Sequence, residues 1–135
     1  MKSMTKLAVL TVMVVAFLAA GSAFAAHHAV KIAKKESVGN YLTDTEGMTL
    51  YIFKKDTPGK SMCDAACVAN WPLYYRETVA AKEGLAASDF GTITRADGKK
   101  QTTYKTMPLY YFIKDKKAGD TTGQGVKDVW FVVNP

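Results

Sequence analysis

Two cysteines, Cys63 and Cys67, stand four positions apart, with Met62 beside the first. Sulfur donors in such an array suit soft metal ions, copper above all. Copper sites built on Cys-x-x-x-Cys also call for a downstream histidine, and here the two histidines, His27 and His28, both lie upstream. If a leader is removed after Ala25, the new terminus reads Ala-His-His. A free amine, two backbone amides and the His28 imidazole can then wrap Cu²⁺ in the square-planar geometry that ion favours. The plainer chemistry is a disulfide between Cys63 and Cys67, the default in an oxidising compartment. In a regular helix, cysteines four apart share a face without good bridging geometry, so a disulfide requires one of them to lie in the turn before the helix. Both readings stay open at this level: a disulfide of Cys63 and Cys67, or a copper or thiol-redox site drawing on His28, Met62, Cys63 and Cys67.

Other reactive groupings are thinner. Asp115, Asp120 and Asp128 lie on one polar stretch and could gather for Ca²⁺, but Lys114, Lys116 and Lys117 crowd the first of them. Calcium takes six to eight oxygens, usually with several carboxylates. Gly119, Gly123 and Gly125 lack the Gly-Lys-Ser/Thr ending of a phosphate loop. A Ser-His or Cys-His pair cannot be assembled inside a domain whose histidines sit at its start, so no nucleophile–base set is in sight. Enzyme is the least expected class, and no cofactor is expected unless it is copper.

The elements that must position these residues follow from a repeat. Leu50-Tyr51-Ile52-Phe53-Lys54-Lys55-Asp56 recurs as Leu109-Tyr110-Tyr111-Phe112-Ile113-Lys114-Asp115, 59 positions on. On a strand, Tyr51 and Phe53 share one face, as do Tyr110 and Phe112. Both faces are apolar, which implies central strands. The tyrosines are expected in the core with hydroxyls bonded to backbone. Asp56 and Asp115 are expected to tie the turns that follow them. Leu42-Thr43-Asp44-Thr45-Glu46-Gly47 echoes Ile93-Thr94-Arg95-Ala96-Asp97-Gly98, and Pro72-Leu73-Tyr74-Tyr75 echoes Pro108-Leu109-Tyr110-Tyr111.

Alternation in Val30–Lys34 reads as a strand with one wet face. Ser61-Met62-Cys63-Asp64 has capping-box spacing before an alanine-rich helix that Pro72 must end. Val79–Ala87 reads as a second helical stretch, weakened by Gly84. Phe90–Arg95 and Lys100–Tyr104 flank Asp97-Gly98 as a hairpin. Val129–Val133 reads as a buried closing strand. The expected fold is mostly β: one small domain of two pseudo-symmetric hairpin repeats, about 38–75 and 90–133, with a short Cys-bearing helical insert.

Residues 1–25 read as a signal peptide, with Lys2 and Lys6, an apolar run from Leu7 to Ala20, and Ala23-Phe24-Ala25 for cleavage. That run is short of the roughly 20 residues that span a bilayer. No transmembrane helix is expected in the mature chain, and 26–37 forms an N-terminal segment before the domain at 38–135. The chain carries a formal net charge of +6. Its basic residues are spread rather than clustered, which argues against nucleic acid and leaves an envelope component or a small ligand as partner.

Tyr51-Ile52-Phe53-Lys54-Lys55-Asp56, then Gly59, Ser61, Cys63, Cys67 and Trp71-Pro72-Leu73, resemble the secreted repeat of bacterial lipoproteins with a Tyr-x-(Phe/Trp/Tyr)-x-x-Asp motif. Tyr110 to Asp115 matches it again, as does Gly123-Gln124-Gly125-Val126 with Val129 to Val133. The resemblance implies an exported bacterial protein, periplasmic or secreted, whose role is not established. Many such proteins are lipidated on an N-terminal Cys, which this chain lacks.

Overall fold

The structure is a computed structural model and describes residues 28–135. The signal-peptide expectation, and the part of the N-terminal copper reading that needs His27, lie outside the described residues. The described residues form eight short strands: β1 (Ala29–Lys35), β2 (Gly39–Thr43), β3 (Tyr51–Phe53), β4 (Ala80–Ala81), β5 (Phe90–Thr94), β6 (Lys100–Tyr104), β7 (Met107–Pro108) and β8 (Trp130–Val132). The helix α1 (Ala65–Asn70) lies between β3 and β4. The domain is mostly β, with two repeats and a cysteine pair at its short helix, as the sequence implies.

Each repeat begins with an antiparallel hairpin, β1–β2 in the first and β5–β6 in the second. The repeats then exchange strands. Tyr51 in β3 pairs with Val132 in β8. Its counterpart Tyr110 pairs with Leu73. Between them Tyr51 and Tyr110 bridge each other, with N–H to carbonyl distances of 2.8 and 3.0 Å. The central ladder therefore runs Val132, Tyr51, Tyr110, Leu73, and each motif strand lies between the other motif and the closing segment of the opposite repeat.

The outer bonds repeat the exchange. Lys54 N–H donates to Val129 C=O, and Ile113 N–H donates to Asn70 C=O. Leu42 N–H donates to Val133 C=O, and Thr102 N–H donates to Tyr74 C=O. Trp71 through Tyr74 thus correspond to Trp130 through Val133. The apparent echo of Pro72–Tyr75 in Pro108–Tyr111 has another meaning, because these segments are neighbours in one ladder: Tyr74 N–H donates to Leu109 C=O, and Tyr111 N–H to Pro72 C=O. The Asp-Gly echo is also reassigned. Arg95–Gly98 turns between β5 and β6, whereas Asp44–Gly47 turns between β2 and β3, where the second repeat uses Lys105 and Thr106. Those two residues adopt positive φ.

Alternation across the ladder divides the interior into two clusters. Tyr41, Tyr51, Cys63, Trp71, Tyr110, Phe112, Trp130 and Val132 form one. Val30, Leu42, Leu50, Tyr74, Tyr104, Leu109 and Val133 form the other. Leu50, Tyr51, Leu109 and Tyr110 are fully buried, as central strands require.

Two helical expectations change. Ser61 does not cap α1; Asp64 does, its carboxylate accepting from Cys67 N–H at 2.9 Å. Val79–Ala87 is not a helix. Ala80 and Ala81 form β4, parallel to Ala29 and Val30, and Gly84 turns the chain at a positive φ. Pairing with β1 outweighs the helix preference of this Ala/Glu/Lys stretch. Among the described residues, no helix is long and apolar enough to cross a membrane.

Candidate functional site

The spacing of the repeated motif has a geometric cause. Asp56 N–H donates to Phe53 C=O, and Asp115 N–H donates to Phe112 C=O. This turn folds each aspartate back beside the ladder. There it meets the tyrosine of the opposite repeat rather than its own. Tyr51 Oη donates to Asp115 Oδ2 at 2.6 Å, and Tyr110 Oη donates to Asp56 Oδ2 at 2.6 Å. Each hydroxyl donates to a crossed carboxylate; the expected backbone partner is present only at Tyr51, which accepts from Gly123 N–H. The other oxygen of each aspartate does bind the following loop: Met62 N–H donates to Asp56 Oδ1, and Thr122 N–H and Oγ1 donate to Asp115 Oδ1. The aspartates therefore tie loops six or seven residues on, not the adjacent turn.

Burial dominates the acid–base character of this centre. It holds the Tyr51 and Tyr110 hydroxyls far above the usual phenol range, and the bond to each carboxylate adds to the effect. Asp56 is also raised by burial, with the Met62 amide, Tyr110 and Arg95 opposing the shift.

A directed chain of bonds extends from the Tyr110–Asp56 pair. The Tyr110 hydroxyl donates its one hydrogen bond to Asp56, so in the bond to Ser61, 2.6 Å long, Ser61 Oγ is the donor. Ser61 Oγ accepts in turn from Arg95 Nη1 at 2.6 Å. Arg95 also donates to Gln101 Oε1 and to Cys63 C=O, and pairs with Asp97 at 3.2 Å. Arg95 is buried, so these acceptors are what make its charge tolerable. On the other side, the bond from Gly123 N–H stands where Ser61 does, reaching Tyr51 Oη at 3.2 Å. A methyl group at Gly123 would meet Trp71 and Tyr51 at 2.8 Å, so only glycine fits there.

Cys63 and Cys67 are joined in a disulfide, Cys63 in the turn before α1 and Cys67 within it. Met62 is exposed, and His28 sits just before β1. Among the described residues, no group of three or more His, Cys, Asp or Glu side chains is placed to hold a metal ion. Asp115 is committed to Thr122 and Tyr51, and Asp120 to the Lys116 and Lys117 amides.

The closing segments bring Trp71 and Trp130 together. Their rings stack at 3.8 Å between centroids with 1° between planes. Phe112 stacks on Trp71 at 4.0 Å, and Phe53 on Trp130 at 4.3 Å. The four rings form one column, Phe53–Trp130–Trp71–Phe112, whose halves interchange with the repeats. Tyr51 and Tyr110 meet it edge-on, at 5.4 Å from Trp71 and 5.1 Å from Trp130. Beside the column opens a groove of about 420 Å³, lined by Phe53, Lys55, Cys67, Asn70, Trp71, Val126, Lys127, Val129 and Trp130. It lies where the two repeats meet, and both repeats contribute to it.

Of the residues singled out from sequence, Tyr51, Phe53, Asp56, Tyr110, Phe112 and Asp115 converge on this centre, and Cys67 lies on the groove wall. Arg95, Ser61, Trp71, Trp130 and Lys127 were not singled out as site residues. The tryptophans carried a usable signal, since they lie 59 positions apart like the two Leu-Tyr motifs.

A chain with crossed Tyr–Asp pairs and paired closing tryptophans is a two-unit repeat protein. The family described as a secreted repeat of unknown function matches residues 33–74 and 91–134, and the chain belongs to it. No curated protein and no solved structure matches the chain.

Proposed function

We propose that this protein is an exported, non-catalytic binding module of the bacterial cell envelope, and that its ligand occupies the groove at the junction of the repeats. The single observation that carries this reading is the groove itself, of a size that holds a small molecule and with both repeats in its wall. The polar groups nearest the centre support a non-catalytic role. Ser61 spends its proton on Tyr110 and receives Arg95, so no base is available to activate it. Family membership supports export. Hydrogen exchange on the protein with and without an extract of its own envelope fraction tests the reading. Slower exchange at residues 53–55, 66–71 and 126–130, with extract components unchanged, is the expected result. Consumption of a component would make the protein an enzyme, and protection confined to other surfaces would remove the groove.

A copper or thiol-redox role is the second reading, favoured by one observation: Cys67 lies on the groove wall. It requires that the disulfide open to supply thiolates. Reduced protein offered Cu⁺ would then take up one equivalent through Cys63 and Cys67, with Met62 beside them as a further donor; His28 is not placed with them among the described residues. Protein that stays metal-free under those conditions sinks this alternative.

A further inference from the structure

We propose that the groove takes an organic anion: a flat apolar body carrying an oxyanion head group. This deepens the binding-module reading and rests on it. Charge is the first argument. The wall contains Lys55 and Lys127 and no aspartate or glutamate. Neither lysine takes part in an ion pair or side-chain hydrogen bond among the described residues.

The second argument comes from how the aromatic column is presented. Trp71 is covered by Trp130 on one face and Phe112 on the other, and Trp130 by Trp71 and Phe53. The groove therefore meets the rims of the indoles. Aromatic faces carry the negative lobe of the ring quadrupole and rims the positive one. A cation or a sugar ring stacking on an indole would need an open indole face, and neither tryptophan offers one. Neither indole N–H has a hydrogen-bond partner among the described residues, and neither nitrogen belongs to the buried polar atoms left unsatisfied there. Both tryptophans line the groove, although each is largely buried. The wall thus combines Lys55, Lys127 and Asn70 with an apolar patch of Phe53, Val126 and Val129.

Backbone strain is the third argument. Lys127 and Asp128 hold φ of 51° and 62°, a left-handed pair without glycine. Hydrogen bonds from Gly125 N–H to Trp130 C=O and from Val129 N–H to Val126 C=O pin the turn that imposes this. Glycine would relieve the strain at position 127 but would remove the cation from the wall. A similar left-handed pair turns the chain at Lys105 and Thr106, which do not line the groove, so the strain at Lys127 shows that this turn fixes the lysine in the wall and does not by itself mark a ligand.

Calorimetric titration of the exported protein with three isosteric probes tests the proposal: 2-naphthoate, 2-naphthalenemethanol and 2-naphthylmethylammonium. Naphthoate should bind one to one, roughly tenfold tighter than the alcohol, and the ammonium weakest. Lys55→Gln and Lys127→Gln should each weaken naphthoate up to about fivefold, as loss of one partly exposed charge pair does, and leave the alcohol unchanged. Equal binding of alcohol and naphthoate would overturn the anion preference while leaving the groove as a binding site. Absence of binding by all three would overturn the proposed ligand class, and the envelope-extract experiment then judges the module reading by itself. Tighter binding of the ammonium would reverse the sign of the proposal.

Discussion

Tyr51 and Asp115 are 64 residues apart and joined by a 2.6 Å hydrogen bond that ties the motif of one repeat to that of the other. The same bond recurs in mirror sense between Tyr110 and Asp56. Removing the Tyr51 hydroxyl leaves a buried carboxylate oxygen short of its donor, which costs about 1–3 kcal/mol. Urea unfolding of Tyr51→Phe, Asp115→Asn and the double variant should therefore show that the double change costs less than the sum of the singles. Strict additivity would mean that the pair is not coupled.

Alkaline pH should unfold the protein cooperatively. Tyr51, Tyr110 and Tyr111 are held well above the ordinary phenol range by burial, and burial pushes Tyr74 up to about 12. The sign follows from linkage. A tyrosine whose folded pKa is raised gives its full stability below the unfolded value of about 10 and loses it as pH rises through the folded value. Each such tyrosine should add about 1.4 kcal/mol of destabilisation per pH unit in that window. Asp56, also raised, contributes stability below the usual carboxylate range and loses it as pH rises, so it opposes acid unfolding. Tyrosine absorbance and circular dichroism should change together above about pH 10. Phenols that titrate smoothly with the fold intact would contradict the buried, carboxylate-bonded centre.

Reduction of the disulfide should loosen one corner without undoing the repeats. The loop from Cys63 to Cys67 is short, with a sequence separation of 4, so chain entropy contributes only about 2 kcal/mol. Cys63 is also buried in the aromatic cluster, which its apolar packing supports with or without the bond. Unfolding free energies of oxidised and reduced protein, from denaturant curves with a shared slope, should differ by that amount. Complete unfolding on reduction would show that the disulfide holds the ladder together.

Much of the fold was legible because strand exchange leaves local patterns intact. The motif offset, the Asp97-Gly98 hairpin, the helix ending before Pro72 and the closing strand all follow from residues close in sequence. Partnership across the repeats was not legible. A tyrosine hydroxyl in a core needs an acceptor, but the sequence does not say that Tyr51 finds Asp115 and not a backbone carbonyl. Ser61 had the spacing of a cap and instead serves Tyr110 and Arg95, because Asp64 lies closer to the Cys67 amide. Pro72–Tyr75 resembled Pro108–Tyr111 through composition, whereas spatial equivalence follows Trp71 and Trp130. The groove depends on that tryptophan pairing, and so it too lay beyond a local reading.

Lys127 should show a trade between stability and binding. Its left-handed backbone favours glycine, so Lys127→Gly should stabilise the fold by about 1 kcal/mol while weakening naphthoate. Thermal unfolding and calorimetry on the same sample read both effects. A variant that is no more stable, or that binds naphthoate as well as the parent, would contradict the role given to this turn.

The groove beside the stacked indoles is the proposed place where ligand binds. The chain contains two tryptophans, so a ¹⁵N–¹H spectrum of the protein holds two indole N–H signals, those of Trp71 and Trp130. Titration with 2-naphthoate should move both signals in a saturable way, together with the backbone amides of Lys55, Asn70 and Lys127. Indole signals that stay fixed while naphthoate perturbs amides elsewhere would contradict the groove and the function built on it.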